Sequence, residues 1–345
     1  MTGMHETACQ HSLLPSLFLA SLLQGCATTA GLVGFGVEKE EAPRQDTVVA
    51  ECDPARAEAP LAKWTSLSGN ILVRPAQFGA TPAPDVKYVQ LTTPVAVAAI
   101  ANTLYIADAG LRTIFSFDRG TQTATILTSV PDMNVRAGLF VDRAYTLYLA
   151  EPFSSSVTLF DIDGNILQVI RNDTELPQPT VVVTSTGGDE IFVGDELAAH
   201  ILVFNRAGTL TRSIGTGTGA ASRFESVTAM ASGPDQLYVS DGLGHQVHAL
   251  APDGSYRYGF GKDELQSPGA LAIDSHNRVY VADNGDSTIK VFRGGMLEAV
   301  VGAPNDPVGL GFQVISSLWV SDGLMYVADA ARASVDILKV VPPCR

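Results

Sequence analysis

Short apolar stretches alternate with turn residues along most of the chain, and one phrase marks their rhythm. It runs aromatic, β-branched or Leu, small, acidic: Tyr105-Ile-Ala-Asp108, Tyr148-Leu-Ala-Glu151, Phe192-Val-Gly-Asp195, Tyr238-Val-Ser-Asp241, Tyr280-Val-Ala-Asp283 and Tyr326-Val-Ala-Asp329. The copies lie 43, 44, 46, 42 and 46 residues apart. Each follows an alternating apolar stretch and a turn, as in Gly269-Ala-Leu-Ala-Ile-Asp274 and Ser275-His-Asn-Arg278. A third alternating stretch comes after the acidic residue, as in Ile289-Lys-Val-Phe292, and a Gly-containing turn leads to a fourth, as in Asp253-Gly-Ser-Tyr-Arg-Tyr-Gly-Phe260. Period-two alternation between turn signals predicts strands. Four strands in about 44 residues, repeated six times, predict an all-β chain folded as a six-bladed β-propeller with four-stranded antiparallel blades.

The last unit is incomplete. After Ser334-Val-Asp-Ile-Leu-Lys-Val340 only Val341-Pro-Pro-Cys-Arg345 remains. Upstream, Val86-Lys-Tyr-Val-Gln-Leu91 precedes the first unit with no blade of its own. The pattern therefore predicts that an N-terminal strand, Val86–Leu91, closes the last blade and removes an open edge. A further strand from Leu67 to Arg74 would lie outside it.

The chain starts differently. Leu13 to Leu23 is an 11-residue apolar run, too short to span a bilayer as a helix and the size of a signal-peptide core. The stretch before it holds His5 and His11 but no Lys or Arg. Leu23-Gln24-Gly25-Cys26 follows and resembles the lipobox of bacterial lipoproteins. That resemblance implies cleavage after residue 25, lipid on Cys26 and, with Ala27 rather than Asp next, an outer-membrane address in the bacterial cell envelope. A general secretory signal is the other reading of the same run. Residues 26–62 are rich in Ala, Gly, Pro, Glu and Thr and read as a tether. The expected organisation is thus signal 1–25, tether 26–62 and propeller 63–345. Of four cysteines, Cys9 would be removed and Cys26 lipidated. Cys52 and Cys344 are left to pair in an oxidising compartment or to stay as two thiols near the chain ends.

Charge narrows the function. Asp and Glu number 36 against 22 Lys and Arg, a formal net charge of −14. Nucleic-acid binding needs phosphate neutralisation by Lys and Arg, so it is not expected. With 46% hydrophobic and 17% charged residues, the chain also has too much core material to be disordered.

The repeats resemble the NHL-repeat family, roughly over residues 83–340. The fifth unit carries the resemblance best, in Ser267-Pro-Gly-Ala-Leu-Ala-Ile-Asp274, Asn277-Arg-Val-Tyr-Val-Ala-Asp283 and Ile289 to Phe292. The resemblance implies the fold and leaves function open, because this fold hosts enzymes, sensors and adaptors alike. The six strand-end carboxylates suggest a metal ring. Repetition once per blade separates them too far for one ion and points instead to bonds with backbone N–H groups in the following turns. The predicted inner strands contain no carboxylate, His or Lys. Arg136 and Gln313, just before two of them, are the large polar groups near the channel. Propellers similar in outline, the gluconolactonase-like and paraoxonase-like ones, gather Glu, Asn and Asp around a metal, and no such set is visible here. His200 and His245 would share a face, but zinc chemistry normally needs three converging ligands. Ser154-Ser-Ser156 and Gly215-Thr-Gly-Thr-Gly219 fit neither a nucleophile elbow nor a phosphate loop.

The leading expectation is a lipid-anchored, monomeric binding scaffold for an envelope protein, peptide or glycan, with no cofactor, metal or catalytic residue assigned. Its ligand face would carry Arg112, Phe153, His200, His245 and Arg332, with Leu111 beside them, because these follow the acidic strand ends. The alternative is a propeller-type enzyme, a metal-dependent lyase or a lactonase/esterase.

Overall fold

A computed structural model of the chain describes residues 61–68, 70–73, 87–172, 174–216, 223–303 and 310–342. The signal, most of the tether and the cysteines Cys26, Cys52 and Cys344 lie outside the described residues.

Three strands precede the repeats: β1 (Leu61–Leu67), β2 (Asn70–Val73) and β3 (Lys87–Gln90). Blade one is β4 (Pro94–Ile100), β5 (Thr103–Asp108), β6 (Thr113–Asp118) and β7 (Thr123–Ser129). Blade two is β8 (Gly138–Val141), β9 (Leu147–Glu151), β10 (Ser156–Phe160) and β11 (Ile166–Arg171). Blade three is β12 (Pro179–Thr184), β13 (Glu190–Asp195), β14 (His200–Asn205) and β15 (Leu210–Ile214). Blade four is β16 (Val227–Ser232), β17 (Leu237–Asp241), β18 (Gln246–Leu250) and β19 (Tyr256–Phe260). Blade five is β20 (Pro268–Ile273), β21 (Arg278–Asp283), β22 (Thr288–Arg293) and β23 (Met296–Val301). Blade six is β24 (Ile315–Ser321), β25 (Leu324–Asp329) and β26 (Ser334–Val340), with β1 as its fourth strand. The six-bladed all-β architecture read from the repeat is therefore the observed one.

The closing strand is a correction. β1 pairs antiparallel with β26, from Leu61 opposite Val340 to Leu67 opposite Val335. Val86–Leu91 does not close the ring. Its strand β3 pairs with β2, and β2 lies parallel on β7, so the two extend blade one to six strands. Leu61, at the start of the closing strand, is fully buried in the core shared by blades five and six. In β3, Lys87, Tyr88 and Gln90 are exposed, which suits an outer edge. The closing strand also begins two residues before residue 63, where the propeller was expected to start.

The middle strands of every blade are buried on both faces: β5, β9, β13, β17, β21 and β25 show almost no exposed position. This is why the recurring phrase is apolar at consecutive positions rather than alternating. Each second strand ends in its acidic residue at one face of the ring, here called the upper face. The connections that enter the inner strands open on that same face.

Candidate binding face and channel mouth

The strand-end carboxylates organise the upper face. Asp108 is fully buried and accepts the N–H groups of Thr92 (2.8 Å), Thr93 (3.1 Å) and Leu111 (3.0 Å), as well as the Thr92 hydroxyl (2.8 Å). Asp195 holds the N–H groups of Gln178 (2.6 Å) and Ala198 (2.7 Å). Asp241 holds Glu225, Ser226 and Gly244, and Asp283 holds Gln266, Ser267 and Gly285. Asp329 holds Gln313, Val314 and Arg332. These side chains bind the following turn, as the spacing suggested. They also clamp the two residues that lead into the inner strand, which the sequence did not show. Each one therefore fixes two loops of the same face.

Blade two departs from this. Its acid is Glu151, whose contacts to Asn134 (3.2 Å) and Phe153 (3.4 Å) are long, and burial pushes its carboxyl above the usual range. Burial acts in the same direction on Asp241 and Asp283 but is outweighed there. The bond from His248 and three backbone N–H groups hold Asp241 below the usual carboxylate range; Lys290 and three N–H groups do the same for Asp283. His248 and Lys290 occupy the same place in their blades, seven residues after the acid. The His248 Nε2 lies 3.3 Å from Asp241, and the Lys290 Nζ lies 2.5 Å from Asp283.

The inner strands enclose a channel of about 1310 Å³. Several hydroxyls on its wall are already committed to holding neighbouring blades together. Thr180 donates to the Val227 carbonyl (3.5 Å), Thr228 to that of Pro268 (3.1 Å) and Ser316 to that of Pro94 (2.8 Å). Asn284 takes the same role between blades five and six, bonding the Ile315 carbonyl at 3.1 Å. In blade two the equivalent position is Gly138, where the Thr180 carbonyl oxygen would lie 2.2 Å from an added Cβ, so only glycine fits. The wall that remains for a ligand is mixed, with Arg143, Thr184, Arg206 and Ser232 among its polar side chains. Trp319, tied to the Ala99 carbonyl (2.8 Å), meets Phe140 edge-on at 5.3 Å between their ring centres.

At the upper mouth, Arg136 forms an ion pair with Glu196 across blades two and three. Burial raises the Glu196 carboxyl and Arg136 opposes that rise. Arg136 thus stands at the channel, as its position suggested, but is already partnered; Gln313 is exposed and outside the channel lining. Near this mouth three successive blades place a large apolar side chain two residues after the acid. These are Phe153, Leu197 and Leu243, which are 72%, 66% and 65% exposed. Val135 and Val314 add to the rim. In the other three blades the same position is Gly285, Ala331 and Gly110. The position two after the acid is therefore lopsided: large and apolar in blades two to four, Gly or Ala in the other three.

The predicted face residues all follow the second strands: Arg112, Phe153, His245 and Arg332 lie in turns, and His200 is the first residue of β14. They stand one per blade around the ring and do not converge. Arg112 and His245 are exposed and adopt φ of 54° and 56°. His200 Nε2 is 2.8 Å from the Glu175 carbonyl, and His245 Nδ1 is 2.5 Å from that of Gln266, so the two rings are anchored to separate loops. Arg332 is occupied with Asp336 (2.8 Å) and the Leu310 carbonyl (3.1 Å). Among the described residues no group of three or more His, Cys, Asp or Glu is placed to hold a metal ion. Sequence reasoning missed Glu196, Leu197, Leu243, Val135 and Val314. Aligning the repeats on their acids would have exposed the Phe, Leu, Leu series.

Comparison with known proteins gives the same fold. Residues 265–292, which form the centre of blade five, match the family model for the NHL repeat. No curated protein matches the chain. Among solved structures, a streptogramin B lyase superposes with a TM-score of 0.55 at 10% identity, covering 73% of this chain and 94% of that one. Virginiamycin B lyase from Staphylococcus aureus gives 0.53 at 10% identity, covering 72% and 96%. At that identity the likeness is one of fold, and the fold is the six-bladed propeller carrying an NHL repeat.

Proposed function

We propose that the chain is a binding scaffold of the bacterial cell envelope, held to the outer membrane by lipid on Cys26, that captures a protein or peptide on its upper face. The observation that carries the reading is the apolar arc Phe153, Leu197 and Leu243 around the channel mouth. Large apolar side chains exposed at the same position in three successive blades suit a contact surface better than open water. Aliphatic and aromatic side chains without free polar groups suit a protein or peptide better than a glycan, which needs hydrogen-bond partners. The Asp195 and Asp241 clamps behind Leu197 and Leu243 hold those two loops in place, which lowers the ordering cost of binding. Leu61, where the tether enters, lies at the opposite face of the ring, because it pairs with the far end of β26. The first described residue of the chain and the arc are thus on different faces.

The test uses a photoreactive residue at position 153 or 197, with position 300 on an outer strand as control. Cross-linking in envelopes should yield a discrete adduct from 153 and 197 alone. With the identified partner purified, the triple substitution Phe153→Ser, Leu197→Ser, Leu243→Ser should weaken binding at least about 10-fold, the scale of a small interface hot spot. Adducts from position 300 in equal yield, or unchanged affinity of the triple variant, would sink the assignment. Stoichiometric metal in the purified protein that chelator removes would turn preference to the alternative, a metal-dependent lyase or lactonase/esterase on this fold.

A further inference from the structure

Blade two holds an outsized share of the exposed apolar surface. Among the described residues, seven of the sixteen large apolar side chains that stay exposed belong to it. Three of them, Ile166, Leu167 and Val169, lie on β11, the outermost strand, whose partner in the sheet is β10 alone. Ile170 turns inward to the core shared with blade three. An outer strand presents unpaired N–H and C=O groups along its free side, and proteins usually blunt such an edge with charge, a bulge or a cover.

Blades one, three, four and five are blunted and this one is not. β7 is covered by the β2–β3 pair. β15 carries Arg212 at its centre, paired with Glu190. β19 carries Arg257, and β23 carries Glu298, paired with Arg293. A register shift interrupts the pairing of the third with the fourth strand in all six blades, so a bulge does not set β11 apart. β11 reads Ile-Leu-Gln-Val-Ile-Arg, with its one charge at the very end. Addition of β2 to β7 shows that a blade edge of this chain accepts a further strand.

We propose that β11 is a self-association edge, through which two copies of the chain pair antiparallel about a two-fold axis near Leu167. The charges at its ends select a second copy in that orientation. Arg171 stands at one end of β11, and the turn before the other end carries Asp163. Both are exposed, and neither has a hydrogen bond from its side chain or an ion pair among the described residues. Asp161, by contrast, is spent on its own turn through the N–H groups of Asp163 and Asn165. Antiparallel pairing brings Arg171 of each copy toward Asp163 of the other, with apolar side chains between them. Parallel pairing would set Arg beside Arg and Asp beside Asp. Opposite charges across a strand pair stabilise it and like charges oppose it, and a two-fold contact consumes both open edges at once. The edge is distinct from the upper-face arc, so a partner there and a second copy here do not compete.

One strand per copy is less than a standard interface, so the dissociation constant should fall in the range of about 10–100 μM. Sedimentation equilibrium of the full chain across that range should show the mean mass rising from one chain toward two. Leu167→Lys should raise the dissociation constant at least about 10-fold, with an unchanged circular dichroism spectrum, since Leu167 is exposed. Arg171→Asp should weaken association, and adding Asp163→Arg to it should restore association. Leu297→Lys on β23 should change nothing. A single-chain mass at every concentration would overturn the proposal. So would association insensitive to Leu167→Lys, equal loss in the β23 variant, or no recovery on charge reversal.

Discussion

Asp108→Ala should destabilise the protein by about 2–4 kcal/mol, among the largest single-residue losses available outside the apolar core. Its carboxylate is buried and accepts four hydrogen bonds, three of them from backbone N–H groups in two separate loops. Bonds to a charged acceptor contribute more than neutral ones, and the donors left behind are only partly able to reach water. Asp108→Asn keeps the shape and one acceptor oxygen, so it should lose roughly half as much. Glu151→Ala is the internal contrast. Its bonds are longer and its charge is disfavoured by burial, so about 1 kcal/mol is expected there. Urea unfolding of the three variants measures the differences. Equal losses at positions 108 and 151 would mean that the clamp geometry does not set the stability of the face.

The same clamp explains why the fold was legible in the sequence. Every blade must return its chain at the upper face, and every blade solves this with an acid at the same strand end. The acid therefore recurs at a spacing that any repeat search finds. What binds the blades to one another was not legible. Thr180, Thr228 and Ser316 are ordinary strand hydroxyls in the sequence, and their acceptors lie in the next blade, 40 to 222 residues away. The pair Arg136 and Glu196 is invisible for the same reason, being 60 residues apart and in different blades. The face residues were half legible. Position after the acid placed Arg112, Phe153, His200, His245 and Arg332 on one face, but it could not show that His200, His245 and Arg332 are held by nearby carbonyls or carboxylates. Nor did residue type alone reveal the arc, because an apolar residue in a loop reads as core until its exposure is known. Its signal is positional: three successive repeats carry Phe, Leu and Leu where the other three carry Gly or Ala.

The closing strand gives the sharpest test of how the ring is held. The sequence offered two upstream strands, Leu67–Arg74 and Val86–Leu91, and no strand over most of residues 61–67; pattern alone does not say which edge a strand joins. The structure gives that place to β1, with Leu61 buried between blades five and six and six residue pairs along β26. A chain beginning at residue 69 keeps β2, β3 and all of the remaining strands but loses β1. It should leave β26 as an open edge and expose the core around Val340 and Leu338. Burial of Leu61 alone is worth about 2–3 kcal/mol, and the lost pairing adds to it. The total is a large part of the roughly 5–15 kcal/mol that holds an ordinary domain folded. This truncation should therefore give a chain that is aggregated or has no cooperative thermal transition, whereas one beginning at residue 58 should melt like the full chain. If Val86–Leu91 closed the ring instead, both truncations would fold alike. A cooperative, wild-type-like melt of the shorter chain would accordingly move the closure back to that segment. Loss of folding confined to the shorter chain would fix β1 as the strand that makes the propeller a closed ring.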